Sequence, residues 1–434
     1  MTEERIVIVG ASLAGLRGAE ALRSAGFQGK LTLVGDEKNA PYDRPPLSKH
    51  LLTGEIPTSL PALPNPYQLN AEWHLGVAAT GLNIKNRTVE LANGVDAERL
   101  VVRHRLPFDQ LLITTGTRAR PWSNPSEAAL DGVFLIRNFE DAVKLREKLA
   151  AKPQRVVIIG GGFIGCEVAS CCCELGLPVV LIQRGALLVH ALGKAIGDIV
   201  AQMQREAGVD LRLGVSVSKI EGNSQGQVQR VHLSDGAVLD TDLVVVALGA
   251  VRNVEWLQKS GLAVSKRGVR CDQFCRVLDP SGAVVEGIFV AGDVAEWPHP
   301  LYDNRVIAIE HWGNAVVQAQ TAAYNMVAKT AETMRLHDHL PDFWSSQFGV
   351  NIKLIGLPET ADQLVFTQGL AKDRKFIAAY GEAGRTIAVV SFNSARWLPA
   401  YRKEINKSFP PMQGALEQFD CSPIAPEFAS SHQT

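Results

Sequence analysis

The stretch RIVIVGASLAG, residues 5–15, decides the fold because it joins a buried strand to a phosphate-binding turn. Four branched apolar residues, Ile6 to Val9, are typical of a parallel strand that is covered on both faces. Gly10 permits a sharp turn, and Gly15 lets the next helix pack closely on the strand. The free N–H groups at the start of that helix are suited to a pyrophosphate. The pattern therefore predicts a Rossmann-like dinucleotide-binding domain of the α/β class.

Two details of this first motif leave alternatives open. Ser12 stands where the fingerprint has its middle glycine, but serine is small and its hydroxyl can donate to a phosphate. The second strand, Leu31 to Val34, is followed by Asp36 and Glu37. An acid about twenty residues past the fingerprint binds a ribose diol, so Asp36 is the first choice and Glu37 the alternative. A solvated turn is the other interpretation of this acidic pair.

Composition narrows the classes of function. The 434 residues favour two or three domains, and the apolar fraction of 46% is ordinary for a large core. A net charge of −1 gives no global field that would recruit nucleic acid or an anionic membrane. The early first strand leaves no room for a signal peptide and no apolar run has membrane-spanning length, so a cytoplasmic location is expected. The seven cysteines have no paired CxxC arrangement, so we expect no metal site.

A second and stronger fingerprint is RVVIIGGGFIG, residues 155–165, in which Gly160, Gly162 and Gly165 fill all three glycine positions. Two fingerprints about 150 residues apart imply two dinucleotide sites, and such a chain is most simply an electron-transfer flavoprotein. The strand that follows ends at Gln183 and Arg184, so the acid usual at this position is missing. The segment LVVVALG, residues 243–249, is expected to return and close this domain.

The segments around the two fingerprints complete the predicted organisation. Residues 39–55, NAPYDRPPLSKHLLTGE, form a rigid connection that aims Arg44 and Lys49, with a helix start expected at Ser48. Phe108 to Thr115, closed by Gly116, is expected to return to the first sheet as a strand.

Later in the chain, the segment GIFVAGD, residues 287–293, places Asp293 after a strand at an expected helix N-terminus, where it would bind a ribitol hydroxyl or simply cap the helix. Beyond about residue 326 the pattern changes to short alternating strands, which predicts a smaller α+β domain.

Seven motifs follow one another in the chain: VGASLAG, YDRPPLSK, LLITTG, GGGFIGCE, VAGDV, EHWGNA and DFWSSQFG. In these motifs the chain resembles the FAD-dependent ferredoxin reductases of bacterial oxygenase systems, from about residue 5 to 405. These belong to the pyridine nucleotide-disulfide oxidoreductases but lack the redox disulfide. The resemblance implies an FAD domain in residues 1–118 and 250–325, an NAD(P) domain in 119–249, and a C-terminal α+β domain in 326–434 that covers the flavin.

The resemblance also assigns site residues. Those expected at FAD are Gly10, Ser12, Ala14, Gly15, Asp36, Glu37, Arg44, Lys49, Thr115, Gly116, Asp293, Glu310, His311 and Trp312. Those expected at NAD(P) are Gly160, Gly162, Phe163, Ile164, Gly165, Glu167, Gln183, Arg184 and Gly249.

Three of these residues are expected to act in catalysis. Lys49 and Glu167 match a pair near flavin N5 in relatives, and Trp312 would lie beside the isoalloxazine. The alternatives are that Trp312 is a core aromatic and that the two charges are unrelated and on the surface. One departure from the family pattern is Ser346, which stands where relatives often carry Asp.

The function implied is hydride transfer from NADH or NADPH onto flavin N5, followed by single-electron transfer to a small iron–sulfur ferredoxin of a P450 or Rieske dioxygenase system. The chain would act as a monomer or homodimer without nucleic acid or membrane. Disulfide reductases need a CxxxxC pair in the first flavin segment, and no cysteine precedes Cys166. The alternatives left open are a redox-sensing flavoprotein of the apoptosis-inducing-factor type and a reductase of another acceptor.

Overall fold

The computed structural model describes residues 3–57, 59, 61, 63, 69–93, 104–409 and 418–420. The helices are α1 (Leu13–Ser24), α2 (His50–Thr53), α3 (Pro125–Ala128), α4 (Phe139–Ala150), α5 (Phe163–Glu174), α6 (Val189–Glu206), α7 (Trp312–Met326) and α8 (Leu398–Arg402). The strands are β1 (Arg5–Val9), β2 (Lys30–Gly35), β3 (Glu72–Leu75), β4 (Val77–Asn83), β5 (Thr88–Asn93), β6 (His104–Pro107), β7 (Gln110–Ile113), β8 (Thr117–Ala119), β9 (Val133–Phe134), β10 (Val156–Ile159), β11 (Val179–Gln183), β12 (Asp210–Leu213), β13 (Val217–Gly222), β14 (Val228–Leu233), β15 (Val238–Asp240), β16 (Leu243–Val246), β17 (Ala250–Arg252), β18 (Val264–Ser265), β19 (Gly268–Arg270), β20 (Arg276–Leu278), β21 (Val284–Val290), β22 (Ala295–His299), β23 (Arg305–Ile307), β24 (Asp342–Gln347), β25 (Val350–Gly356), β26 (Gln363–Leu370), β27 (Lys375–Glu382), β28 (Arg385–Phe392) and β29 (Gln418–Asp420).

The chain divides into two compact units. The first consists of Met1–Asp43, Leu60–Arg118 and Ala250–Pro341, and the second of Arg44–Ser59, Ala119–Gly249 and Asp342–Thr434. Residues 44–59 therefore belong to the second unit, and residues 326–341 to the first. The domain boundaries expected from the sequence stay a prediction.

The first unit is built on a six-stranded sheet in the order β20-β21-β7-β1-β2-β3. The central strand β1 is parallel to both β2 and β7, as expected from its unbroken apolar run. Ile6 and Ile8 are fully buried, and burial of such a side chain contributes roughly 1.5–3 kcal/mol. On one face of the sheet, α1 packs against the small-residue face of α7 in a common apolar core.

The second unit contains a five-stranded parallel sheet in the order β12-β11-β10-β16-β9. Strand β16 pairs with β10 from Leu243 to Val246, so the predicted return strand of this domain is confirmed. The same unit holds a six-stranded sheet in the order β24-β25-β28-β27-β26-β29, whose neighbouring strands are antiparallel. The α/β fold class is thereby confirmed, with two Rossmann-like sheets and a C-terminal region of antiparallel strands.

Two local expectations are wrong. The helix expected at Ser48 begins at His50, because Pro45 and Pro46 hold residues 45–48 in a 3-10 turn. Asp293 is not at a helix N-terminus, since strand β22 begins two residues later and α7 begins only at Trp312. In the described part of the chain, no helix is long and apolar enough to cross a membrane.

Candidate functional site

The first glycine-rich loop joins β1 to α1 in the first unit. Gly10 has a φ of +116°, and a Cβ on it would lie 2.1 Å from the carbonyl oxygen of Thr114. A Cβ on Gly15 would lie 1.9 Å from the carbonyl oxygen of Gly10. Ser12 is the N-cap of α1, and neighbouring Ala14 is buried. The two glycines are thus required for the backbone to close the loop.

The two acidic residues after β2, Asp36 and Glu37, lie in different environments. The Asp36 side chain is exposed, whereas Glu37 is half-buried and its Oε2 accepts a 2.5 Å hydrogen bond from the hydroxyl of Tyr42. A carboxylate that is already oriented loses less entropy when it accepts a ribose hydroxyl. The geometry therefore favours Glu37, the alternative from the sequence, over Asp36.

Thr115 and Gly116 form a turn that is held by Asn253. The Thr115 hydroxyl donates to the Asn253 carbonyl at 2.8 Å, and the Asn253 side-chain amide donates to the Thr115 carbonyl at 2.8 Å. Gly116 has a φ of +60°, and a Cβ on it would have no atom of the described residues within 4 Å. The turn is rigid and leaves open space beside Gly116.

Asp293 lies in the turn between β21 and β22. Its Oδ2 accepts a 3.2 Å hydrogen bond from the hydroxyl of Thr117, and the preceding N–H of Gly292 donates to Gln318 Oε1 at 2.9 Å. Gln318 lies on α7 and is fully buried. Helix α7 therefore fixes the turn that carries Asp293.

The three residues Glu310, His311 and Trp312 lie where α7 begins, with His311 as its N-cap. Glu310 forms a 2.8 Å ion pair with Arg252. The indole N–H of Trp312 donates to Asp43 Oδ1 at 2.9 Å. Trp312 is half-buried: it packs against the apolar core of the first unit, and Asp43 fixes its polar edge.

The second glycine-rich loop, between β10 and α5, repeats the geometry of the first. Gly160 has a φ of +113°, and a Cβ on Gly165 would lie 1.9 Å from the carbonyl oxygen of Gly160. Gly162 is the N-cap of α5, and a Cβ there would meet open space. In the first turn of α5, the ring of Phe163 packs against the ring of Phe343, with 4.0 Å between the ring centroids. The next residue, Ile164, is 38% exposed.

Strand β11 ends in Gln183, where a dinucleotide fingerprint usually has an acid. Gln183 Oε1 accepts a 2.9 Å hydrogen bond from the backbone N–H of Gly161, so this side chain braces the loop itself. The Arg184 side chain is exposed. Gly249, three residues after the return strand β16, has a φ of +84°, and a Cβ on it would meet open space.

Lys49 and Glu167 form a pair in the second unit. The distance from Lys49 Nζ to Glu167 Oε2 is 2.8 Å, and the side chains are 13% and 4% exposed. The hydroxyl of Ser48 donates to the same oxygen at 2.6 Å, and the hydroxyl of Ser345 donates to Glu167 Oε1 at 2.6 Å. The alternative that these two charges are unrelated and on the surface is therefore wrong. Arg44, also in this unit, donates to the carbonyl of Arg137 at 2.9 Å.

Several other buried titratable groups are held neutral. Burial raises the pKa of the Cys166 and Cys171 thiols, and raises that of Cys172 to about 12. Burial lowers the pKa of His337 to about 3. Neither thiolate nor imidazolium chemistry is available from these groups at neutral pH. Cys421 lies outside the described residues.

Each of the two glycine-rich loops has a backbone that fits a dinucleotide. Both loops exclude a Cβ at the turn, and each leads into a helix whose first N–H groups have no partner within the helix and are suited to a pyrophosphate. The first turns of α1 and α5, which the structure describes in full, contain no acidic side chain that would repel a pyrophosphate. No group of three or more His, Cys, Asp or Glu within the described ranges could hold a metal ion.

Sequence reasoning missed several supporting residues, among them Asp43, Arg252, Asn253 and Gln318. The first three bond predicted site residues, and Gln318 bonds the backbone N–H of Gly292, next to Asp293, but none of the four belongs to a nucleotide fingerprint. Asp43 lies within the YDRPPLSK motif, next to Arg44, and this position is the feature of the sequence that could have indicated a role at the site. Which of the predicted residues contact the cofactors stays a prediction.

Comparison with known proteins gives two family matches. The family described as pyridine nucleotide-disulphide oxidoreductase matches residues 4–320, and the family described as reductase C-terminal matches residues 342–422. A probable ferredoxin reductase, CtmF of Castellaniella defragrans, is 35% identical over 89% of this chain and 90% of the relative.

Two solved structures are similar over nearly the whole chain. The ferredoxin reductase for the CYP199A2 system of Rhodopseudomonas palustris has a TM-score of 0.84 and 30% identity, covering 95% of this chain and 97% of that one. The reductase in a covalent putidaredoxin reductase–putidaredoxin complex has a TM-score of 0.83 and 30% identity, covering 93% of each chain. The cofactors implied by the family are FAD and NAD(P)H, as predicted. The chain therefore belongs to the pyridine nucleotide-disulphide oxidoreductase family and resembles its ferredoxin reductases.

Proposed function

We propose that the chain is an FAD-dependent NAD(P)H:ferredoxin oxidoreductase of a P450 or Rieske dioxygenase system. In each cycle one NAD(P)H loses two electrons, two ferredoxins gain one electron each, and one proton is released. Bound FAD supplies the conversion between a hydride and single electrons. The protein's own task is to bind both dinucleotides, orient them and control charge near the reacting rings.

One observation carries this proposal: a single chain holds two glycine-rich loops of matching geometry together with a buried Lys49–Glu167 pair. A hydrolase or a scaffold has no use for two dinucleotide sites. Lys49 supplies a positive charge suited to a ring that becomes electron-rich on reduction, and Glu167 offsets that charge when the coenzyme is absent. The relatives named as ferredoxin reductases support the same acceptor.

We assign the individual contacts as follows. Gly10, Gly15 and Glu37 bind the adenosine half of FAD, Asp293 binds its ribitol, and Gly160, Gly162 and Gly165 bind the coenzyme pyrophosphate. Trp312 positions the nicotinamide ring against the flavin, because Asp43 fixes the direction of its indole. We further propose a monomer or homodimer that works in the cytoplasm, where the NAD(P)H pool is held, without nucleic acid.

The test is an absorbance spectrum followed by a reduction assay. We expect a yellow protein with one noncovalent FAD, and rapid NADH-dependent reduction of a [2Fe–2S] ferredoxin of the putidaredoxin type. A folded protein that cannot be reconstituted with FAD would contradict the assignment. Slow reduction of every ferredoxin tested, with coenzyme binding intact, would instead favour the redox-sensing alternative.

A further inference from the structure

A buried chain of polar side chains leads from α6 to the Lys49–Glu167 pair within the second unit. Gln204 Nε2 donates to Gln347 Oε1 at 3.3 Å, and Gln347 Nε2 donates to the hydroxyl oxygen of Ser345 at 3.1 Å. The Ser345 hydroxyl donates to Glu167 Oε1 at 2.6 Å. Gln204, Ser345 and Gln347 are each at most 1% exposed, so bulk water does not compete for these bonds.

The chemistry of the groups fixes the direction of each bond. An amide nitrogen only donates, so the Gln347 amide occupies an acceptor position on Ser345 and leaves its hydroxyl proton for Glu167. Lys49 and Ser48 both donate to the other carboxylate oxygen, Oε2. The two oxygens of Glu167 are therefore held by different segments of the chain. Oε2 is bound by residues 48–49, and Oε1 by the first strand of the C-terminal sheet.

We propose that Ser345, oriented by Gln347, is a positioning residue that holds the Glu167 carboxylate toward Lys49 and so controls the charge that the lysine presents to the flavin. The inference rests on the proposed function, in which Lys49 acts on the flavin. Without the Ser345 hydroxyl, Oε1 is a buried acceptor that has lost its donor, and the carboxylate is free to rotate away from Lys49. The C-terminal sheet thereby adjusts the electron-transfer centre through Ser345.

The neighbouring Ser346 provides a matched control. Successive side chains of a strand point to opposite faces, and Ser346 is half-buried where Ser345 and Gln347 are buried. Ser346→Ala removes a hydroxyl from the same strand without touching the polar chain described above. Ser345→Thr retains the hydroxyl and tests rescue, and Gln347→Met removes the orienting amide at similar length.

The experiment measures the flavin reduction potential as a function of pH, and the pH profile of anaerobic flavin reduction by NADH, in FAD-loaded protein. We expect Ser345→Ala to displace the pH profile of flavin reduction by about one pH unit. This is about the free energy that one hydrogen bond to a charged group contributes. Gln347→Met should displace it in the same direction by less, and Ser345→Thr and Ser346→Ala should match wild type.

A wild-type profile and potential in Ser345→Ala would overturn the inference, and a lower melting temperature alone would identify Ser345 as merely structural. Lys49→Met separates this failure from that of the proposed function. If Lys49→Met changes the potential and Ser345→Ala does not, only the positioning role is wrong. If neither changes it, the placement of Lys49 at the flavin is wrong as well. Should Ser345→Ala not fold, Gln347→Met decides, and a wild-type profile there overturns the inference.

Discussion

The two glycine-rich loops have the same backbone geometry but differ in the side chains placed around it. In each, a Cβ on the third glycine would lie 1.9 Å from the carbonyl oxygen of the first, at Gly15 over Gly10 and at Gly165 over Gly160. Two residues past the third glycine, however, α1 carries Arg17 and α5 carries Glu167. The two loops therefore share a backbone that suits a dinucleotide, and they differ in the charge that the following helix carries beside it.

The largest effect should come from breaking either loop at its third glycine. Gly15→Ala forces a methyl group into backbone, and overpacking of this kind costs about 3 kcal/mol or more. We expect Gly15→Ala to lose FAD, and Gly165→Ala to retain more FAD while losing reduction by NADH. Melting curves, flavin content and anaerobic reduction measure the three quantities.

Gly162→Ala is the control for these variants, because its Cβ would meet open space. Its cost in stability should be about 1 kcal/mol or less, as for other N-cap substitutions. Wild-type FAD content in Gly15→Ala would show that the first loop is not the flavin site.

The second effect concerns the opposite charges on the two helices. Arg17 pairs with Glu20 at 2.7 Å on its own helix, whereas Glu167 depends on Lys49, which lies far away in the sequence. We expect Lys49→Met to remain folded, because Ser48 and Ser345 still donate to the carboxylate, but to slow flavin reduction by NADH roughly 100-fold, about 2.7 kcal/mol of barrier.

Stopped-flow absorbance measures this rate, with Arg17→Met as the matched control. Arg17→Met also leaves a buried carboxylate without its cation, so it should lower the melting temperature and leave the reduction rate near wild type. Equal rates in wild type and Lys49→Met would mean that the lysine has no role at the flavin.

Much of this architecture could be predicted because it depends on short stretches of sequence. The branched apolar runs of β1 and β10, and the glycines that follow, are short-range signals that specify a strand, a turn and a helix. The expected helix start at Asp293 was wrong for the opposite reason. A strand followed by Gly-Asp is compatible with a helix cap or with a turn into another strand, and β22 forms because of tertiary pairing.

The supporting contacts could not be read from the sequence because they join distant segments. Asp43 and Trp312 are 269 residues apart, and Ser345 and Glu167 are 178 apart. An aspartate in a proline-rich segment and a serine in a strand each have many ordinary roles. Only the fold makes Glu37 preferable to Asp36, since the Tyr42 hydroxyl reaches one of them.

The third effect concerns the end of the strand that follows each loop. Acids follow β2, whereas β11 ends in Gln183, which cannot repel a 2′-phosphate, so we expect both NADH and NADPH to work in wild type. Gln183→Glu retains an acceptor for the Gly161 N–H and adds a charge, so it should leave stability unchanged and disfavour NADPH by roughly 1–3 kcal/mol, about one to two decades. The ratio of kcat/KM values for the two coenzymes measures this, with Arg184→Ala as a separate test of attraction. An unchanged ratio in Gln183→Glu would show that residue 183 does not face the ribose.

The smallest effect should come from the middle glycine position, where the loops differ most visibly in sequence. Ser12 has φ −109° and ψ −154°, and Gly162 has φ −79° and ψ −176°, which is extended backbone that any residue adopts. A glycine is therefore not needed there for backbone conformation, only for room beside the ligand. Serine and glycine at an N-cap differ in their effect on stability by only a few tenths of a kcal/mol.

We expect Ser12→Gly to change the FAD dissociation constant by less than about threefold, equivalent to roughly 0.7 kcal/mol, with an unchanged melting temperature. Ser12→Ala, which keeps the Cβ and removes the hydroxyl, separates bulk from hydrogen bonding in the same titration. FAD binding that is more than about tenfold weaker in both variants would mean that the hydroxyl of Ser12 binds the phosphate directly and that the first loop depends on its serine.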